Sequence, residues 1–170
     1  MKKLKLDLTK IGISFLFIPI FVMAGGGCSN TNPSSQTQSK KNFTKDEVAV
    51  LKDHQLSITN FQENFDTGNE FIKPENSDNM YVLIGVKIKN TSNKDLLVNS
   101  FGFQLEDETG VKRSQGLYSG FDNPLESVTL TPGAELSGNM GFEAKKDSNS
   151  LILHYEGNIG SGGEVTIKLK

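Results

Sequence analysis

This 170-residue sequence predicts an all-β domain, and three observations carry that expectation. From Asp46 onward apolar residues alternate with polar ones in short runs, the period of half-buried strands. The chain holds 17 glycines, most of them placed between those runs, where they suit turns. No segment keeps a helical period, and none repeats. Seven or eight strands over about 125 residues, with frequent turns, argue for two packed antiparallel sheets rather than one open sheet.

At the front, Val48 to Leu51 and Leu56 to Phe61 supply one broken strand or two short ones. The clearest strand is Tyr81 to Lys89. Val82, Ile84, Val86 and Ile88 share one face, Lys87 and Lys89 the other, and Asn90-Thr91-Ser92-Asn93 ends it. Phe101, Phe103 and Leu105 alternate next, and Asp107 to Gly110 forms a tight reversal with glycine suited to the left-handed position. Leu125 to Leu130 gives another strand, stopped by Thr131-Pro132-Gly133. There proline presets the second turn position and glycine accepts the positive φ that follows, a type II turn. Leu136, Gly138, Met140 and Phe142 alternate after it, then Leu151, Leu153 and Tyr155, and last Val165, Ile167 and Leu169. The expected core is Val82, Ile84, Val86, Ile88, Phe103, Leu105, Met140, Phe142 and Leu153.

The first 45 residues follow other rules. Met1 to Lys10 is basic, Ile11 to Ala24 is an apolar run of 14 residues, and Gly25-Gly26-Gly27-Cys28 follows. That order predicts an export signal over 1–27. A retained transmembrane helix needs about 20 apolar residues, and Pro19 and the glycines cut this run short. Small residues before a lone cysteine resemble the lipobox of bacterial lipoproteins, although Gly25 stands where an aliphatic residue is usual. The resemblance implies that Cys28 is diacylglycerated and becomes the mature N-terminus. Cys28 is the only cysteine, so it has no internal disulfide partner, and a free thiol outside the cell would be open to oxidation. Val22-Met23-Ala24 also fits ordinary cleavage, which would give a secreted protein. Ser29 to Asn42 has no large apolar residue and reads as a flexible tether. The expected organisation is therefore a signal peptide at 1–27, the lipidated cysteine and tether at 28–45, and a sandwich domain at 46–170.

Several motifs in the body resemble a family. Tyr81-Val82-x-Ile84-x-Val86-x-Ile88-x-Asn90-x-Ser92-x-Lys94 is similar to the strand-then-Asn-x-Ser signature of a domain-of-unknown-function family of bacterial surface lipoproteins. Phe103-x-Leu105-x-Asp107-x-x-Gly110, Leu130-x-Pro132-Gly133-x-x-x-x-Gly138-x-x-x-Phe142 and Leu151-x-Leu153-x-Tyr155 resemble its later motifs, in order. The match covers roughly residues 50–170, and the Pro-Gly-to-Phe spacing is its most specific part. The resemblance implies an immunoglobulin-like, telokin-like sandwich, shared with a secreted mycobacterial protective antigen. It implies no activity, because these motifs are turn and core positions and a fold is not a function.

Charge and motif inventory narrow the function. Residues 1–27 hold four lysines and one acid, leaving 14 basic and 19 acidic groups in the rest. A body of that sign lacks the footprint of a nucleic-acid binder. His54 and His154 are the only histidines, and both are expected at the surface, His154 out of phase with Leu151, Leu153 and Tyr155. No cysteine is available in the domain to complete a zinc site, so no metal or cofactor is expected. Asp107-Glu108 and Asp122-Asn123 read as turns rather than calcium loops. Gly157 to Gly163 lacks the Lys-Ser/Thr of a phosphate loop and reads as a hairpin connection. No serine sits in a nucleophile elbow.

Two long loops remain. Asn64 to Asn79 carries Phe65, Phe71 and Ile72, and Ser114 to Pro124 carries Leu117, Tyr118 and Phe121. Long loops in compact domains are often functional, though their apolar residues can equally fold back to plug the sandwich. Tyr118, Phe121, Leu117 and Phe71 are the candidate ligand contacts. The expected function is non-catalytic: a lipid-anchored module on the outer face of the cytoplasmic membrane, binding a protein, peptide or envelope component. The competing readings are a purely structural envelope lipoprotein and an accessory subunit of an envelope enzyme.

Overall fold

The computed structural model describes residues 40–157 and 164–170. The expected signal peptide, Cys28, the tether up to residue 39 and the glycine-rich stretch 158–163 lie outside the described residues.

Among the described residues eleven strands follow in chain order: β1 (Asn42–Thr44), β2 (Ala49–Val50), β3 (His54–Gln62), β4 (Asn79–Asn90), β5 (Leu96–Val98), β6 (Phe103–Asp107), β7 (Lys112–Ser114), β8 (Val128–Leu130), β9 (Glu135–Lys145), β10 (Leu151–Glu156) and β11 (Glu164–Lys168). One sheet runs β1-β11-β10-β6-β7, the other β2-β3-β4-β9, and β5 and β8 form a two-stranded ribbon. The two larger sheets share one hydrophobic core, which makes the domain a β-sandwich. All nine expected core residues are buried, each at 1% exposure or less.

The strand count exceeds the expected seven or eight because β1, β2, β5, β7 and β8 are two or three residues long. Alternation cannot register over so few positions. The fold also starts earlier than residue 46. β1 lies inside the expected tether and pairs parallel with β11, which buries Phe43 opposite Ile167. Leu125 to Leu130 is a strand only from Val128. Phe101 does not continue β6; it sits in a 3-10 turn over Ser100–Gly102, capped by the Asn99 side chain, and is 70% exposed.

The turns behave as their residues dictate. Ala134 N donates to Thr131 O at 3.0 Å around Gly133, whose φ is +81°. Gly110 N donates to Asp107 O at 2.9 Å with Gly110 at +76°. The Asn-x-Ser signature is also explained. Asn90 is fully buried, and its Nδ2 donates to Lys94 O at 2.7 Å and Leu130 O at 2.9 Å. Its Oδ1 accepts from Ser92 N at 3.0 Å and from Ser92 Oγ at 2.8 Å. One amide thus joins the end of β4 to the β5–β8 ribbon, and every one of those polar groups finds a partner.

Both histidines overturn the surface expectation. His54 opens β3 and is fully buried, edge-on to the Tyr155 ring at 5.5 Å, with Nδ1 against the Asp53 carboxylate at 2.5 Å. Its Nε2 is buried with no hydrogen-bond partner among the described residues. Burial, and then the Asp53 charge, pushes the Tyr155 hydroxyl up to about 12. His154 does point to the outer face of its sheet, yet it is only 6% exposed. Glu164 of β11 lies 2.5 Å from Nδ1 and Glu106 of β6 lies 2.7 Å from Nε2, so strands on both sides fold a carboxylate over the ring. The Lys112 ammonium first, and His154 second, hold the Glu164 carboxyl below its usual range.

Candidate binding cleft between two loops

Strand β9 is the outermost strand of its sheet, and the segment 114–125 seals its free edge. Gly116 N and Leu117 N both donate to Gly141 O at 3.1 Å, Leu125 N donates to Asn139 O at 2.8 Å, and Asn139 N donates to Asn123 O at 2.7 Å. Two glycines of β9 make the seal possible. A Cβ on Gly141 would stand 2.6 Å from Leu117 Cβ, and a Cβ on Gly138 would stand 2.5 Å from Leu125 Cα. Successive strand residues alternate faces, so Gly138 opens on the core side with Met140 and Phe142, while Gly141 opens on the outer side. The loop therefore crosses the strand edge, with one leucine socketed on each face. Covering a strand edge this way also removes a template for unwanted pairing.

The outer face of this sheet carries the second loop. Phe65 N donates to Tyr81 O at 2.9 Å, and Glu143 of β9 accepts from Glu75 N at 3.1 Å and from Asn79 Nδ2 at 3.2 Å. Tyr81 and Leu83, on the outer side of β4, are consequently buried. Burial, and then the Glu143 and Glu75 carboxylates, raise the Tyr81 hydroxyl above its ordinary value. The alternation seen in the sequence keeps an open outer face only at Lys87 and Lys89.

The two loops meet. Gly120 adopts φ +84°, and a Cβ there would come within 2.8 Å of Thr67 Cβ, so glycine permits both the turn and the approach. Phe121 packs edge-to-face on Phe65 with centroids 6.5 Å apart and planes at 78°. Between them opens a cleft of about 580 Å³ lined by Phe65, Thr67, Leu83, Gly120, Phe121, Asp122 and Asn139. Asn139 Nδ2 donates to Asp122 O at 2.7 Å, which holds the cleft wall to β9. Edge-to-face packing leaves ring faces uncovered, whereas parallel stacking would hide them.

Of the four candidate contacts, Tyr118 is 62% exposed and Phe71 is 88% exposed. The Tyr118 hydroxyl donates to Gln115 O at 2.6 Å, which fixes the ring direction. Phe121 is half-buried and lines the cleft. Leu117 is not a contact: it is 3% exposed, because Gly141 gives it a socket. Sequence reasoning did not single out Leu83 or Asn139. Both lie on strands, and only the paired arrangement of β4 and β9 shows them under the loops. Among the described residues no group of three His, Asp or Glu side chains is placed to hold a metal ion.

A second polar cluster lies where β6, β7 and the end of β9 converge. Burial would raise the Asp107 carboxyl, but hydrogen bonds from the Thr109 hydroxyl, Lys145 N and Thr109 N, with Arg113 beside them, outweigh it and lower it. The Asp107 side chain is fully buried while Arg113, on the neighbouring strand of the same sheet, reaches solvent; the bond from Lys145 N of β9 to the Asp107 carboxylate is what ties the two sheets together.

Comparison with curated proteins finds no match. Solved structures do match. A candidate lipoprotein of Bacillus subtilis (ycdA) superposes with a TM-score of 0.62 at 21% identity, over 72% of this chain. This chain spans only 38% of that protein's length. The yjhA protein of Bacillus subtilis gives 0.61 at 16% identity, over 75% of this chain and 99% of the other. The secreted MPT63 of Mycobacterium tuberculosis gives 0.54 at 7% identity, over 76% and 95%. These likenesses show a shared β-sandwich fold, as the motif resemblance implied. Residues 30–166 match the family described as "Domain of unknown function (DUF4352)", and the chain belongs to that family.

Proposed function

We propose that this chain is a non-catalytic extracytoplasmic module that binds a partner through its two-loop face and is held at the membrane by a lipid on Cys28. The observation that carries the binding reading is Tyr118, left 62% exposed between two leucines that are each socketed on a glycine of β9. A large ring held in solvent by buried anchors on both sides offers contact area at little entropic cost. Phe71, more exposed still, stands on the loop that Gly120 and Phe121 touch. The basic–apolar–small–Cys order of residues 1–28 supports the address.

A photoreactive residue at position 118, compared with one at Lys87 on the open outer face, tests the binding reading on living cells. Capture of one discrete partner from 118 and none from 87 is expected. No capture from 118, or equal capture from both, would favour the structural reading. For the address, Cys28→Ser should move the protein from the membrane to the medium. A variant that stays membrane-bound would point to a retained helix, and a wild-type protein already in the medium would point to simple secretion.

A further inference from the structure

We propose that the two-loop face docks a basic peptide segment; this names the partner chemistry of the site above and rests on that binding reading. The cleft supplies two aromatic rings in edge-to-face contact, the apolar floor of Leu83, and the Asp122 carboxylate, with no cation in its lining. An arginine or lysine side chain uses all three: its stem covers apolar surface, its charge lies over an aromatic face, and its N–H groups meet a carboxylate. The domain already shows a cation over an aromatic face, since Lys45 Nζ stands 5.4 Å from the Phe61 ring centroid.

Charge balance selects this occupant over an anion. Residues 64–79 carry four acids (Asp66, Glu70, Glu75 and Asp78) against Lys73 alone, and 114–124 carry Asp122 and no base. Several carboxylates elsewhere are neutralised within the chain: Asp107 by Arg113, Glu108 by Lys145, Glu135 by Lys87 and Lys89, and Glu63 by Lys170. Those outside the loops without an ion pair among the described residues, such as Asp46, Asp95, Glu126, Asp147 and Glu156, are spread along the sequence. Asp66, Glu70, Glu75 and Asp122 form no ion pair among the described residues. Lys73 is the one base within the two loops; Lys145 and Lys146 stand at the end of the first loop, beside Ser77 and Asp78, and Arg113, which precedes the second, is paired with Asp107. A phosphate-bearing or anionic lipid surface would meet this face with like charge. A neutral glycan would gain the aromatic contact but leave the unpaired acids without a role.

The test uses the full chain in detergent micelles and a fluorescent short peptide of alternating arginine and glycine. Its counterpart with aspartate and the neutral sugar cellotetraose serve as comparisons. The arginine peptide should bind and the aspartate peptide should not. Raising salt from 50 to 500 mM should weaken binding about tenfold. Asp122→Asn should weaken it about two- to five-fold and Tyr118→Ser about tenfold, with unfolding unchanged in both. Failure of the arginine peptide to bind, or binding indifferent to salt and to Asp122→Asn, overturns the basic-peptide proposal. Cellotetraose binding that depends on Tyr118 would overturn it while leaving the two-loop face as a binding site. If the living-cell capture from position 118 also fails, the binding reading falls with it.

Discussion

Leu117 and Gly141 are matched: the leucine side chain fills the space that any side chain at 141 would need, with Leu117 Cβ 2.6 Å from where a new Cβ would stand. The contact fixes one end of the exposed segment that begins at Tyr118. Gly141→Ala should unseat the leucine and cost about 1–3 kcal/mol through overpacking. Leu117→Ala should cost about 2–4 kcal/mol, since the residue is buried. Equilibrium urea unfolding measures both, and two unchanged midpoints would mean that the segment is not anchored there.

Asn90 should behave as a structural residue. Asn90→Leu strips the partners from Lys94 O, Leu130 O and Ser92, and should cost about 1–3 kcal/mol for the buried groups left unpaired. Ser92→Ala should cost less, because the Asn90 amide keeps its two carbonyl partners. The same unfolding measurement ranks the two, and the opposite ranking would contradict the network described.

Asp107 predicts an acid limb. Its folded-state carboxyl is lowered, so the unfolded chain takes up the proton first as pH falls. Its stabilising contribution is therefore complete above about pH 4, the ordinary range for aspartate, and is lost as pH drops from there through the lowered folded value. Asp107→Asn should be less stable at neutral pH, and its stability should fall less steeply between pH 4 and 2. Parallel curves for the two proteins would show that other groups govern acid unfolding.

Tyr118 and Phe121 should separate in a stability assay. Tyr118 is mostly exposed, so Tyr118→Ser should change stability by no more than about 0.5 kcal/mol. Phe121 is half-buried against Phe65, so Phe121→Ser should cost about 1–2 kcal/mol, less than a fully buried ring. Equal losses at both positions would mean that Tyr118 also plugs the fold.

The core was legible in the sequence because period-two alternation over β4, β6, β9 and β10 needs no partner to be read. What escaped were features that depend on pairing. β1 is three residues whose role appears only when Asn42 lies beside Thr166. His154 points outward as its phase predicts, but its burial comes from Glu106 and Glu164, which are distant in sequence and adjacent only across β6, β10 and β11. Leu117 read as a loop contact because nothing in its neighbourhood announces the socket at Gly141. The two loops were each conspicuous for their aromatics, while their meeting at Gly120 and Thr67 required the fold.

The most direct test of the binding face joins both readouts in one variant, Phe71→Ser with Tyr118→Ser, expressed in cells with Cys28 intact. A photoreactive residue at Ser119, between the substituted tyrosine and Gly120, reports partner capture, and thermal unfolding of the same purified protein reports the fold. The expected result is an unchanged melting temperature with capture lost relative to the protein that keeps Phe71 and Tyr118. A melting temperature lowered by many degrees, or capture that persists without the two rings, would contradict the assignment of this face as the functional surface.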